Sequence, residues 1–205
     1  MNSHRLVALT LLAVLCTACG STPRTEYYLL AALAPPGAEA RGDGPSLGIA
    51  GLRVAEYLQR PEVATLESAN RLRLRDYARW AEPVGDGIER TLVLNLASLL
   101  DSGRVRARPW PRDWTPEWQL RVDIARLDAR GDTAELVAHW SLANAAGTRE
   151  RSTRLTRARS GDDAEAVAAD LSALLLELAE RIAAAIGEAR TAPPRPCARS
   201  MTGPA

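Results

Sequence analysis

The chain has 205 residues, with 26 arginines and no lysine against 25 acids, for a formal net charge of +1. That length suits one domain with a sizeable interior, and the balanced charge gives neither a footprint for nucleic acid nor a polybasic attraction to anionic lipid. The missing lysine excludes a P-loop and Schiff-base chemistry, and the few histidines and cysteines leave a structural zinc site unsupported.

The N-terminus carries the first signal. Arg5 is followed by Leu6 to Ala18 without a charge, a run too short for a bilayer, which needs about 20 apolar residues, but suited to the apolar core of an export signal. It ends in Cys16-Thr17-Ala18-Cys19-Gly20. A redox C-x-x-C pair needs a folded strand and helix around it, and nothing before Cys16 supplies them. The stretch instead resembles a bacterial lipobox, in which the cysteine after small residues is acylated and becomes the new N-terminus. Cys16, in place of a leucine, departs from the usual pattern. Residues 1–18 are thus expected to be a lipoprotein signal peptide, with Cys19 as the lipid attachment site. The 187 residues that remain keep only Cys197 as a free thiol, so their fold must rest on its core and not on a disulfide.

Residues 19–26 read as a polar tether and Tyr27-Tyr28-Leu29-Leu30 as the first strand. The Pro/Gly-rich stretch 34–46 reads as a loop, and 47–58 has β character. In 71–80 (RLRLRDYARW) the leucines at 72 and 74 alternate with three arginines, which predicts a strand with one solvated or partner-facing side. Pro83 opens a helix whose stripe is Val84, Ile88, Leu92, Leu96 and Leu99, with Gly103 as its stop. Further β signals lie at 104–110 and in a hairpin around Arg130-Gly131-Asp132-Thr133. Its inward sets are Leu120, Val122, Ile124 and Leu136, Ala138, Trp140, Leu142. A polar edge strand is expected over 148–160. Asp162 and Asp163 then precede a long helix with the stripe Val167, Leu171, Leu174, Leu178, Ile182 and Ile186, stopped by Gly187. The sum is an α+β domain over 27–188, a single mixed β-sheet with two main helices packed on one face, and a disordered tail at 189–205.

Candidate chemistry is thin. Gly44-Pro45-Ser46-Leu47-Gly48 matches the G-x-S-x-G elbow of hydrolases, but that elbow needs a strand before the serine and a helix after it. Here a loop comes first and a strand follows. His139, the one histidine of the exported chain, falls in mid-strand. No catalytic residue, cofactor or metal site is assigned. Trp80 and Trp140 sit in apolar registers and read as core. Trp110, Trp114 and Trp118 cluster in PWPRDWTPEW, where aromatics beside arginine suit either a partner contact or packing over a sheet edge. They are the candidate partner-contact residues.

The strings Tyr57-Leu58-x-Arg60-Pro61 and Arg79-Trp80-Ala81-Glu82-Pro83, with YYLL behind a lipobox and the alanine/leucine-rich last helix, resemble the ABC-type transport auxiliary lipoproteins. The likeness covers nearly all of residues 19–188. It implies a non-catalytic outer-membrane lipoprotein that faces the periplasm, held by its N-terminal lipid, partnered with an MCE-domain protein of a lipid transport complex and supporting membrane integrity. A homo-oligomer is compatible with the sequence. The rival expectation, from another class, is a periplasmic carrier that holds an acyl chain in its own cavity.

Overall fold

The computed structural model describes residues 23–35 and 42–191. Cys19, the signal and most of the tail lie outside the described residues. Eight strands form one mixed sheet: β1 (Glu26–Tyr28), β2 (Leu47–Val54), β3 (Glu62–Ser68), β4 (Arg71–Trp80), β5 (Val105–Ala107), β6 (Trp118–Arg130), β7 (Thr133–Asn144) and β8 (Gly147–Ala158). Helices α1 (Val84–Leu99) and α2 (Ala164–Thr191) pack on each other, and both pack on the sheet. The expected α+β class is what the chain adopts.

β6 is the spine. On one side it pairs with β7, and β7 with β8, in an antiparallel meander. On the other, β2 runs parallel to its first half from Leu47↔Trp118 to Val54↔Ile124, and β3 meets its end at Leu66↔Arg130. The sheet therefore branches beyond β6, with β5 beside β2, and β4 then β1 beyond β3. Side chains explain the register. Trp118, Leu120, Val122 and Ile124 face the helices, and a register shift between Ile124 and Arg126 changes the phase so that Leu127 and Ala129 stay inward. The opposite face presents Arg121 and His139 to solvent. Gly131 at φ 51 makes the β6–β7 turn, a conformation that costs glycine little.

Three expectations need correction, and one strand carries no expectation at all. Residues 62–68 form β3, although they show no clean alternation. Residues 56–58, read as strand, form a 3-10 turn. In β4 the leucines do not make a buried row, for Leu74 is 39% exposed, because register shifts interrupt the β3–β4 ladder. Neither helix stops at its glycine. α1 closes at Asp101, φ 48, with Asp101 N–H donating to the Ser98 carbonyl and Ser102 N–H to that of Ala97, a Schellman cap without glycine. α2 runs through Gly187 to Thr191, so residues 189–191 belong to its last turn. Both helical stripes are otherwise inward, with Leu99 only half-buried. At the start of α2 the Asp163 carboxylate accepts the Ala166 N–H at 2.7 Å. Among the described residues no helix is long and apolar enough to cross a membrane.

Candidate docking surface

The two sequence strings that stood out, 57–61 and 79–83, meet in space. Trp80 N–H donates to the Pro61 carbonyl at 2.8 Å, and Glu62 pairs with Arg79 in the β3–β4 register. Together they wall a cleft of about 450 Å³ lined by Arg60, Pro61, Trp80, Glu82, Pro83 and Asp86. Beneath it, Tyr57 donates its hydroxyl to Asp128 at 2.8 Å. Burial pushes the Tyr57 phenol up, and the hydrogen bond to Asp128 adds to this. Asp128, only 4% exposed, is also raised, by desolvation first, against the opposing hydrogen bond from Tyr57 and the Arg126 charge. The pair pins the 3-10 turn to β6.

Trp110 and Trp114 come together. Their rings meet edge to face, 5.4 Å apart at 76°, with the Arg108 guanidinium 4.5 Å over Trp110 and that of Arg106 5.4 Å over Trp114. Trp110 lies on the sheet at Gly48, where a Cβ would stand 2.4 Å from its ring. Both rings are half-buried. Trp118 does not join them. As the first residue of β6 it is 5% exposed within the core, because it falls in the inward phase of that strand. Trp140 is core, as its register indicated, whereas Trp80 is only half-buried.

Ser46 and His139 do not form a catalytic pair. Ser46 is 4% exposed, and its Oγ accepts the Glu117 N–H at 2.9 Å. His139 is opposite Asp123, itself opposite Arg53. It therefore sits roughly 20 Å along the sheet from Ser46, at about 3.3 Å per residue. Among the described residues no cluster of His, Cys, Asp and Glu could hold a metal ion.

The sequence from 27 to 183 matches the ABC-type transport auxiliary lipoprotein component family. The chain belongs to that family. No curated protein matches it. Two crystal structures share its fold. One, an uncharacterized protein, is 20% identical over 80% of this chain and 99% of its own, with a TM-score of 0.66. The other, from Xanthomonas campestris, is 19% identical over 81% and 100%, with a TM-score of 0.61.

In this member of the transport auxiliary lipoproteins, the segment after β1 is a strap gripped through its backbone. Arg90 donates to the Leu30 carbonyl at 2.7 Å while holding Glu82 at 2.6 Å. Thr91 donates to the same carbonyl, Ser172 accepts the Ala31 N–H, and Ser98 donates to the Pro35 carbonyl. Asn95 accepts from Leu33 and Ala34. Thr91, Asn95 and Ser172 are buried polar side chains that the sequence reading passed over. Their signal was present: Thr91, Asn95 and Ser98 recur at helical spacing beside the apolar stripe of α1.

Proposed function

We propose that this transport auxiliary lipoprotein is acylated on Cys19, sits at the outer membrane facing the periplasm, and docks an MCE-domain protein of an ABC-type lipid transport system, without catalysing a reaction. In this role it supports membrane integrity. The observation that carries the reading is the family match that opens eight residues after the lipobox cysteine and runs through nearly all of the folded domain. Among the described residues Ser46 and His139, the pair the sequence offers for nucleophilic catalysis, lie far apart, and the balanced charge leaves lipid as the anchor. A diacylated or triacylated cysteine gives practically permanent attachment, at about 0.8 kcal/mol per buried CH₂. Trp110 and Trp114, with Arg106 and Arg108, are the contact residues we assign to the partner.

The carrier alternative finds little support. Ligand pockets typically hold about 300–1,000 Å³, whereas the interior crevice between Leu30, Leu58, Leu72, Leu127 and Leu171 measures about 20 Å³. Clefts that reach that size, about 450 Å³ at Trp80 and about 530 Å³ at Trp140, are walled by charged side chains such as Arg60, Glu82 and Asp86 or Arg53, Arg121 and Glu150, a poor lining for an acyl chain.

The test is affinity capture of the MCE-domain protein of the same cell by the purified lipoprotein, together with a Cys19→Ser variant. Capture by the wild type, and an unprocessed, unacylated Cys19→Ser precursor, are expected. No capture would remove the docking role, and normal acylation of Cys19→Ser would move the anchor to Cys16.

A further inference from the structure

We propose that the β1 edge of the domain, with the strap, rests on the lipid surface to which Cys19 is attached, so that the domain lies against the membrane in a fixed orientation. Six large hydrophobic side chains are exposed among the described residues: Tyr27, Leu29, Leu33, Leu74, Tyr77 and Leu94. Their distribution is confined. Tyr27 is in β1, Leu29 and Leu33 are in the strap, and Leu74 and Tyr77 are in β4, the strand that pairs with β1. Leu94 is in α1 beside Asn95, which holds the Leu33 backbone. The meander β6–β7–β8, α2 and the β2–β5 arm contribute none. An aqueous surface would leave such residues scattered singly, and a concentration on one edge marks a contact.

The chain itself names the occupant. β1 begins seven residues after Cys19, and at about 3.3–3.6 Å per residue this span reaches at most roughly 25 Å. A domain of this size is roughly 40 Å across, so the tether keeps the β1 edge near the bilayer and lets the far side stand away from it. Tyrosines and leucines are the side chains that suit the headgroup boundary. Net charge adds little there: in the cleft that Leu74 and Tyr77 help to line, Arg24, Arg73, Arg75 and Arg159 are offset by Glu26, Glu67, Asp76, Asp162 and Asp163. The contact is therefore apolar and insensitive to salt and to lipid charge. It also turns the Trp110–Trp114 loop, on the β2–β5 arm at the other end of the sheet order, away from the β1 edge.

This inference rests on acylation of Cys19, and the experiment separates the two. In a Cys197→Ser background, Tyr27→Cys, Leu29→Cys, Tyr77→Cys and, as the solvated control, His139→Cys are each labelled with an environment-sensitive dye. All four positions are exposed, so folding is spared. The full acylated protein is reconstituted in phosphatidylcholine vesicles, with mass spectrometry for the acyl chains. The expected result is a blue-shifted emission at 27, 29 and 77 that is quenched by brominated lipid and unchanged in high salt, with the dye at 139 aqueous. If the protein is acylated and vesicle-bound but every dye stays aqueous, the contact is overturned while the anchor stands. If the shift occurs only when an MCE-domain protein is added, the edge is a protein contact and the lipid proposal is likewise overturned. A chain without acyl groups overturns the anchor and this inference together.

Discussion

Asn95 holds the strap at Leu33: its Oδ1 accepts the Leu33 N–H at 3.0 Å and, from the same side chain, the Ala34 N–H at 3.0 Å. The side chain is fully buried in α1, so the strap is fixed here through its backbone, leaving Leu33 and, further back, Leu29 exposed while Leu30 packs into the core. Asn95→Ala removes the one acceptor and with it both hydrogen bonds. Because a stranded donor in a partly buried place costs about 1–3 kcal/mol, a loss of about 2 kcal/mol is expected. For a domain of this size that lowers Tm by roughly 4–8 °C. Hydrogen exchange at Leu33 and Ala34 should accelerate while amides in β6 stay protected. Unchanged protection at these two amides would mean the strap is held elsewhere.

Gly48 supports the tryptophan loop by what it lacks. A Cβ there would stand 2.4 Å from Trp110 Cζ2 and 2.9 Å from Pro116, so Gly48→Ala must lift the loop off the sheet. Overpacking of this kind costs about 1–3 kcal/mol. The expected readout is a red shift in tryptophan emission, with the far-ultraviolet dichroism unchanged. Emission identical to the wild type would show that Trp110 can slide aside without exposure.

Where one periodicity governed a long element, the sequence was readable. The hairpin β6–β7 and both helical stripes follow directly from alternation and from spacings of three and four, because a two-sided sheet and a one-sided helix impose those periods. β3 was not readable, since it lies between two neighbours and its residues, Glu-Val-Ala-Thr-Leu-Glu-Ser, run from a buried Val63 through three half-buried positions to an exposed end without alternation. Helix ends failed for a related reason. Asp101 adopts the left-handed conformation that Gly103 was expected to supply, and Gly187 is carried inside α2 by the packing of Ile186 before it and Ala189 after it on the core. The site was legible only as two strings. Their convergence at Pro61 and Trp80 depends on strand order, which local patterns do not encode.

Trp114 and Trp118 lie four residues apart and should respond in opposite ways. Trp114→Ala leaves the core intact and forfeits one aromatic pair, about 0.5–1.5 kcal/mol. Capture of the MCE-domain partner should weaken by about 2 kcal/mol if Trp114 anchors it. Trp118→Ala hollows the core and should cost about 3–5 kcal/mol of stability. Titration calorimetry beside thermal melting reads both. Equal capture by Trp114→Ala and the wild type would place the partner contact elsewhere.

Ser46→Ala and His139→Ala probe the absence of a hydrolase. Ser46→Ala strands the Glu117 N–H and should cost about 1 kcal/mol, whereas His139, exposed on the open sheet face, should cost nothing measurable. Cells that depend on the protein should grow equally well with either variant. Loss of function in both, with melting curves like the wild type, would restore the catalytic reading.

Asp128 makes the fold sensitive to pH in an unusual direction. Burial raises its carboxyl above the ordinary value of 3.8, outweighing the hydrogen bond from Tyr57 and the Arg126 charge. Glu135, which Arg126 also holds at 2.8 Å, adds a like charge, while Arg130 opposes it. A raised carboxyl means that the folded state binds this proton more tightly than the unfolded chain does. Its contribution is therefore fully present below 3.8 and is lost as pH rises through the higher folded value. Asp128→Asn keeps an acceptor for the Tyr57 hydroxyl and never ionises. Near pH 3 the variant and the wild type should melt close together, and the variant should gain by a few degrees as pH climbs to neutrality, with no further change above that window. Tyr57 does not blur the comparison, because its phenol is itself raised and stays neutral throughout. A variant that instead loses ground as pH rises would show that the ion pair with Arg126, at 3.7 Å, outweighs the cost of burying the charge.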